Sequence, residues 1–105
     1  MNKKFEFSKR VKTLRAQNKL SLQALADLTD SSKSYIWDLE NNNIPYPSAK
    51  KLSKIADVLG ITIQYLLDGG TLESAKDTHF YRKYQSLDNK TKQRIRSILA
   101  LLGES

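Results

Sequence analysis

Few residues in this chain are equipped to make or break bonds. The single histidine, His79, has no pair of carboxylates beside it, and the chain has no cysteine and no glycine-rich loop to cradle phosphate. Neither catalysis nor a metal or cofactor is expected. A different chemistry is offered by Lys33, Ser34, Trp37 and Asp38, which fall on one face of a short helical segment opposite the apolar Ile36 and Leu39. Tyr35 lies at the edge of that face. An ammonium, a hydroxyl, an indole and a carboxylate side by side recognise by donating and accepting hydrogen bonds.

The elements that must hold this face occupy residues 20–47. One helix is expected to begin after Ser21 and to carry Leu22, Leu25, Ala26 and Leu28. A second is expected after Ser31 or Ser32, over residues 33–40, with Ile36 and Leu39 inward. Thr29, Asp30, Ser31 and Ser32 lie between them, and their side chains bond nearby backbone and compete with helix. Asn41, Asn42 and Asn43 stop the second helix, since Asn tolerates the left-handed conformation. Pro45 and Pro47 keep the next segment extended. Two helices joined by so short a turn are the sequence image of a helix-turn-helix.

Ala26, Asp30, Ile36 and Leu39 fall at the spacing of that motif's key positions, and residues 34–41, SYIWDLEN, look like the end of its second helix. Over about residues 7–68 the chain resembles the lambda-repressor/Cro-type (XRE-like) family of helix-turn-helix transcriptional regulators. The resemblance implies a recognition helix in the DNA major groove, with base-reading positions at Lys33, Ser34, Trp37 and Asp38. Lys33 can donate to guanine O6 and N7, Ser34 can donate or accept, and Asp38 can accept from cytosine N4. Trp37 packs on a thymine methyl or a sugar, or else is a half-buried rim residue. Backbone contacts are expected from Arg10, Ser21, Gln23, Ser32, Tyr35, Asn41, Asn42 and Asn43. Relatives pair the residues at Arg15 and Glu40 in an ion pair that sets the helix's pose; the alternative is that Arg15 faces phosphate. Two positions depart from the pattern: Leu22 stands where Gln is frequent, and Asp30 where Gly is usual, at a φ > 0 position that costs Asp some strain.

Charge agrees with a polyanionic partner. The 105 residues carry a net charge of +7. Lys3, Lys4, Lys9, Arg10, Lys12, Arg15 and Lys19 crowd the first helix, and Lys90, Lys92, Arg94 and Arg96 form a second group. The longest apolar run, residues 98–102, is too short to span a bilayer, and no signal peptide precedes the first helix, so a cytoplasmic protein is expected.

The rest of the chain reads as helices. Phe7, Val11 and Leu14 mark a first helix over about residues 8–18, with Ser8 as its start signal and residues 1–6 as a flexible arm or a lead-in. Ser48 caps a fourth helix bearing Leu52, Ile55, Ala56 and Leu59, closed by Gly60; Thr62 caps a fifth, with Ile63, Leu66 and Leu67 inward. Gly69-Gly70-Thr71 then makes a joint. Beyond it, residues 74–86 carry Phe80, Tyr84 and Leu87, and residues 89–102, capped by Asp88 and ended by Gly103, carry Ile95, Ile98, Leu99 and Leu102.

The expected fold is all-α: a five-helix lambda-repressor-like DNA-binding domain over residues 1–69, its helix-turn-helix at 20–43, and a C-terminal pair of amphipathic helices over 70–105. Helices this short need a partner for Phe80, Tyr84, Ile95, Ile98, Leu99 and Leu102. That partner is the first domain, the other helix of the pair, or a second copy, and dimerisation is the expectation. The implied function is a phage or bacterial repressor that binds a palindromic double-stranded DNA operator as a homodimer. The alternative is an antitoxin or anti-repressor whose C-terminal helices bind a partner protein.

Overall fold

The computed structural model describes residues 2–103. Over them the chain forms seven helices and no strand: α1 (Lys3–Gln17), α2 (Leu22–Leu28), α3 (Lys33–Glu40), α4 (Ala49–Leu59), α5 (Ile63–Asp68), α6 (Leu72–Gln85) and α7 (Asn89–Gly103). None of these is long and apolar enough to cross a membrane.

Local chemistry sets most of the helix starts. The hydroxyls of Ser21, Ser32, Ser48 and Thr62 accept hydrogen bonds from the amides of Ala24, Tyr35, Lys51 and Tyr65 at 3.0, 3.0, 3.2 and 3.1 Å. Each such cap is worth about 1 kcal/mol. Between the two candidate caps for α3, the chain uses Ser32. Gly60 ends α4 in the left-handed conformation at φ 72°.

Helix α1 starts earlier than the apolar stripe predicts. Asn2 caps it by accepting from the amides of Lys4 and Phe5, so the lead-in is helical from Lys3. Ser8, the expected start signal, lies in mid-helix, buried, and its hydroxyl finds no partner. Helix α6 begins two residues sooner than expected, at Leu72, and Gly103 is the last residue of α7 rather than its terminator. Met1, part of that lead-in, and Glu104 and Ser105, the end of the C-terminal segment, lie outside the described residues.

The core is assembled from the first five helices. Phe7, Val11 and Leu14 of α1 are buried with Leu25 and Ala26 of α2, Ile36 and Leu39 of α3, and Leu52, Ile55, Ala56 and Leu59 of α4. Ile61 and Leu66 complete it from the α5 side, while Ile63, expected inward, stays exposed. Phe7 also meets Tyr46 edge-to-face at 5.2 Å, which anchors the extended segment after α3.

Helix α6 joins this body through Ala75, which is buried, and Leu72, which packs on the core. Asp57 of α4 adds a polar tie, with His79 Nε2 at 2.8 Å and Lys83 Nζ at 3.2 Å. Helix α7 buries no residue. It meets α6 where Lys92 and Arg96 lie over the Tyr84 ring, both at 5.7 Å. The radius of gyration is 15.8 Å, against about 13 Å for a compact chain of this length.

Candidate nucleic-acid interface

Helix α3 is held on its inner face and bare on its outer one. Ile36 and Leu39 are fully buried, whereas Lys33, Ser34 and Trp37 are exposed and Asp38 is half-buried. The i, i+3, i+4 spacing of the buried residues leaves the polar ones together on the outside. Trp37 keeps 49% of its surface in solvent, so its indole sits on the rim. At the exposed head of the helix, Ser32 caps the Tyr35 amide, and Ser34 Oγ lies 3.3 Å from Ser32 Oγ.

Two interactions fix the pose of α3. Behind it, Arg15 of α1 donates through Nε and Nη2 to the two Glu40 carboxylate oxygens at 2.6 and 3.0 Å. The Glu40 side chain is only 2% exposed. A two-pronged bond of this kind fixes orientation as well as distance, and it raises the Arg15 pKa through the Glu40 hydrogen bond. Arg15 Nη1 also donates to the Leu20 carbonyl at 2.8 Å, tying the α1–α2 link into the same network.

The second interaction comes from α4. Lys51 Nζ donates to the carbonyls of Thr29 and Asp30 at 2.6 and 2.9 Å and to Ser31 Oγ at 2.8 Å. It also lies 5.8 Å from the centre of the half-buried Tyr35 ring; burial pushes the Tyr35 phenol pKa up. Lys54 pairs with the exposed Asp30 carboxylate at 2.5 Å and holds its pKa below the ordinary value. Asp30 stands at φ 54°, the left-handed backbone the turn demands.

The residues proposed for the DNA backbone are placed unevenly. Ser21 is exposed at the head of α2, but its hydroxyl is occupied by the Ala24 amide. Gln23 donates along its own helix to Asp27 Oδ1 at 2.9 Å. Leu22, the departure from the family's Gln, packs against the core. Asn41 Nδ2 donates to the Trp37 carbonyl at 2.8 Å, and the Asn42 side-chain oxygen accepts from Lys4 Nζ. Asn43 is exposed, its amide donating to the Asp38 carbonyl.

Arg10, also expected at the DNA backbone, is half-buried. Its guanidinium donates to the Leu66 and Leu67 carbonyls at 2.9 and 3.0 Å. It thus closes the end of α5. Lys9 and Lys12 are exposed and, with Phe5, line an open groove running to Glu40, Asn41 and Asn42. Sequence reasoning missed Lys4, Lys51 and Lys54 as parts of the site. No local signal marks Lys51, because its acceptors lie 20 to 22 residues away.

Comparison with known proteins agrees with this geometry. Residues 8–70 match the helix-turn-helix domain family. Among solved structures, SinR, the master regulator for biofilm formation, in complex with DNA is 34% identical over 59% of this chain and 98% of that one, with a TM-score of 0.56. The N-terminal DNA-binding domain of SinR from Bacillus subtilis is 33% identical over 61% and 93% of the two chains, with a TM-score of 0.57. A SinR–SinI complex covers 94% of this chain and 99% of that one at 23% identity and a TM-score of 0.56, a likeness of fold alone. No curated protein matches significantly. With the match running from the middle of α1 through α5, the chain belongs to the XRE-like helix-turn-helix family of DNA-binding regulators.

Proposed function

We propose that the protein is a sequence-specific double-stranded DNA-binding transcriptional regulator, a repressor acting as a homodimer on a palindromic operator. The observation that carries this reading is the outer face of α3, where Lys33, Ser34 and Trp37 stand exposed with Asp38 beside them. Helix α3 enters the major groove by its Lys33 end, and Ser21, Gln23, Ser32, Tyr35 and Asn43 flank it toward the phosphates. Lys9 and Lys12 supply non-specific attraction. Residues 1–69 are the DNA-binding unit and 70–105 the dimerisation segment, whose exposed Phe80, Ile98, Leu99 and Leu102 favour a second copy. Two-fold pairing of the protein matches the two halves of an operator.

Selection of bound sequences from random DNA tests this directly. A palindromic consensus is expected, with half-sites about 34 Å apart or a multiple of that spacing. Lys33→Ala is expected to relax preference at one position per half-site, at a cost of ~1–3 kcal/mol. Affinity is expected to fall steeply with salt. Failure to enrich any sequence at low salt would overturn the reading, and enrichment of a non-palindromic site would overturn the dimer.

A further inference from the structure

We propose that Lys51, outside the helix-turn-helix, is the positioning residue that sets the angle of the reading helix and thereby the specificity of DNA recognition. This rests on the DNA-binding reading above.

The Lys51 ammonium has three protons and three acceptors: Thr29 O at 2.6 Å, Asp30 O at 2.9 Å and Ser31 Oγ at 2.8 Å. These belong to the C-cap of α2, to the left-handed residue of the turn, and to the residue just before the cap of α3. The Tyr35 ring, 5.8 Å from Nζ, extends the contact onto α3 itself. One group therefore bridges the end of α2, the whole turn and the first turn of α3. The turn also bonds itself: Thr29 Oγ1 donates to Leu25 O at 2.8 Å, Ser31 N to Ala26 O at 2.8 Å and Ser31 Oγ to Thr29 O at 3.2 Å, but none of these reaches Asp30 O or α3. Removing the ammonium takes the donor from Asp30 O, leaves Thr29 O with the 3.2 Å bond from Ser31 Oγ, and widens the angles the turn can adopt. Base contacts demand a fixed helix angle, whereas phosphate attraction tolerates a loose one. Lys51 acts through geometry rather than charge, because its protons are directed into the protein.

Lys54 is a built-in control. It lies on the same helix with the same charge, yet bonds only the exposed Asp30 carboxylate.

The experiment measures affinity of wild type, Lys51→Met and Lys54→Met for the sequence that wild type selects from random DNA, and for scrambled DNA, across a salt series. Lys51→Met is expected to lower the ratio of specific to non-specific affinity by about tenfold, the scale of one lost base contact. It should leave the salt slope unchanged; a phosphate-contacting lysine would reduce the slope by about 1. Lys54→Met is expected to keep the wild-type ratio. An unchanged ratio in Lys51→Met, a reduced salt slope, or an equal loss in Lys54→Met would overturn the proposal while leaving the DNA reading intact. Should wild type select no sequence, the DNA reading falls, and this proposal with it. If circular dichroism shows Lys51→Met unfolded, Lys51→Arg carries the test. Its planar guanidinium keeps the charge but cannot send three protons to three converging oxygens, so the ratio should fall; a wild-type ratio in the folded variant overturns the proposal.

Discussion

The eight residues of α3 bury Ile36, Leu39 and Glu40, whereas the fifteen of α7 bury none. Both carry an apolar stripe at helical spacing, and a helix as short as α3 would not hold in water alone. Neighbours make the difference: α3 is packed into the core, bonded to Arg15 from behind and steadied through its turn by Lys51. In α7 the same kind of stripe faces solvent, with Ile98, Leu99 and Leu102 each more than half exposed. Apolar side chains at helical spacing therefore say that a face will be covered; they do not say by which chain.

The sharpest test of that contrast changes one leucine in each helix. Leu39→Ala opens a cavity in a sealed core and is expected to cost about 3 kcal/mol in thermal or denaturant unfolding, with DNA binding lost alongside. Leu99→Lys is expected to shift the stability of the isolated protomer by less than about 0.5 kcal/mol while abolishing the proposed dimer, as read by analytical ultracentrifugation. Equal costs in the two variants, or a dimer that survives Leu99→Lys, would erase the distinction.

A smaller effect of opposite sign sharpens the description of the core. Ser8 is buried with an unpartnered hydroxyl, so Ser8→Ala removes a desolvation penalty and is expected to stabilise the protein by about 1 kcal/mol. A loss of stability would mean that the hydroxyl has a partner after all.

The smallest effect concerns the seam between the two regions. Hydrogen bonds from His79 and Lys83 hold the Asp57 carboxyl below its ordinary 3.8. Its folded pKa lies under its unfolded one, so its contribution is complete above about 3.8 and lost as pH falls through the folded value. Amide exchange in α6 is expected to quicken in that acid range, and Asp57→Asn should remove the step.

How much of this was legible followed sequence distance. The caps at Ser21, Ser48 and Thr62 were readable because each hydroxyl meets an amide three residues on. Lys33, Ser34, Trp37 and Asp38 were separable from Ile36 and Leu39 by helical period alone. The bonds of Arg10 were not legible because its acceptors lie 56 and 57 residues away, at the end of a helix whose packing no local pattern reveals. Lys51, 20 to 22 residues from its acceptors, was missed for the same reason. Ser8 drew the start of α1 inward because it resembles a cap, while Asn2 performs that role.

Lys19, Asp30 and Asn42 all hold left-handed backbone, at φ 57°, 54° and 58°, just past the ends of α1, α2 and α3. Glycine would take these angles without strain, but it would take many others as well. A side chain at each joint costs something to bend and then narrows the range through which the joint can swing, in the unfolded chain as well as the folded one. At Asp30, the joint between α2 and α3, the side chain narrows a range that glycine would leave wide. Under the proposed function this makes the reading head stiff, so that it meets its target as a template and a mismatched site is not accommodated by flexing the turn.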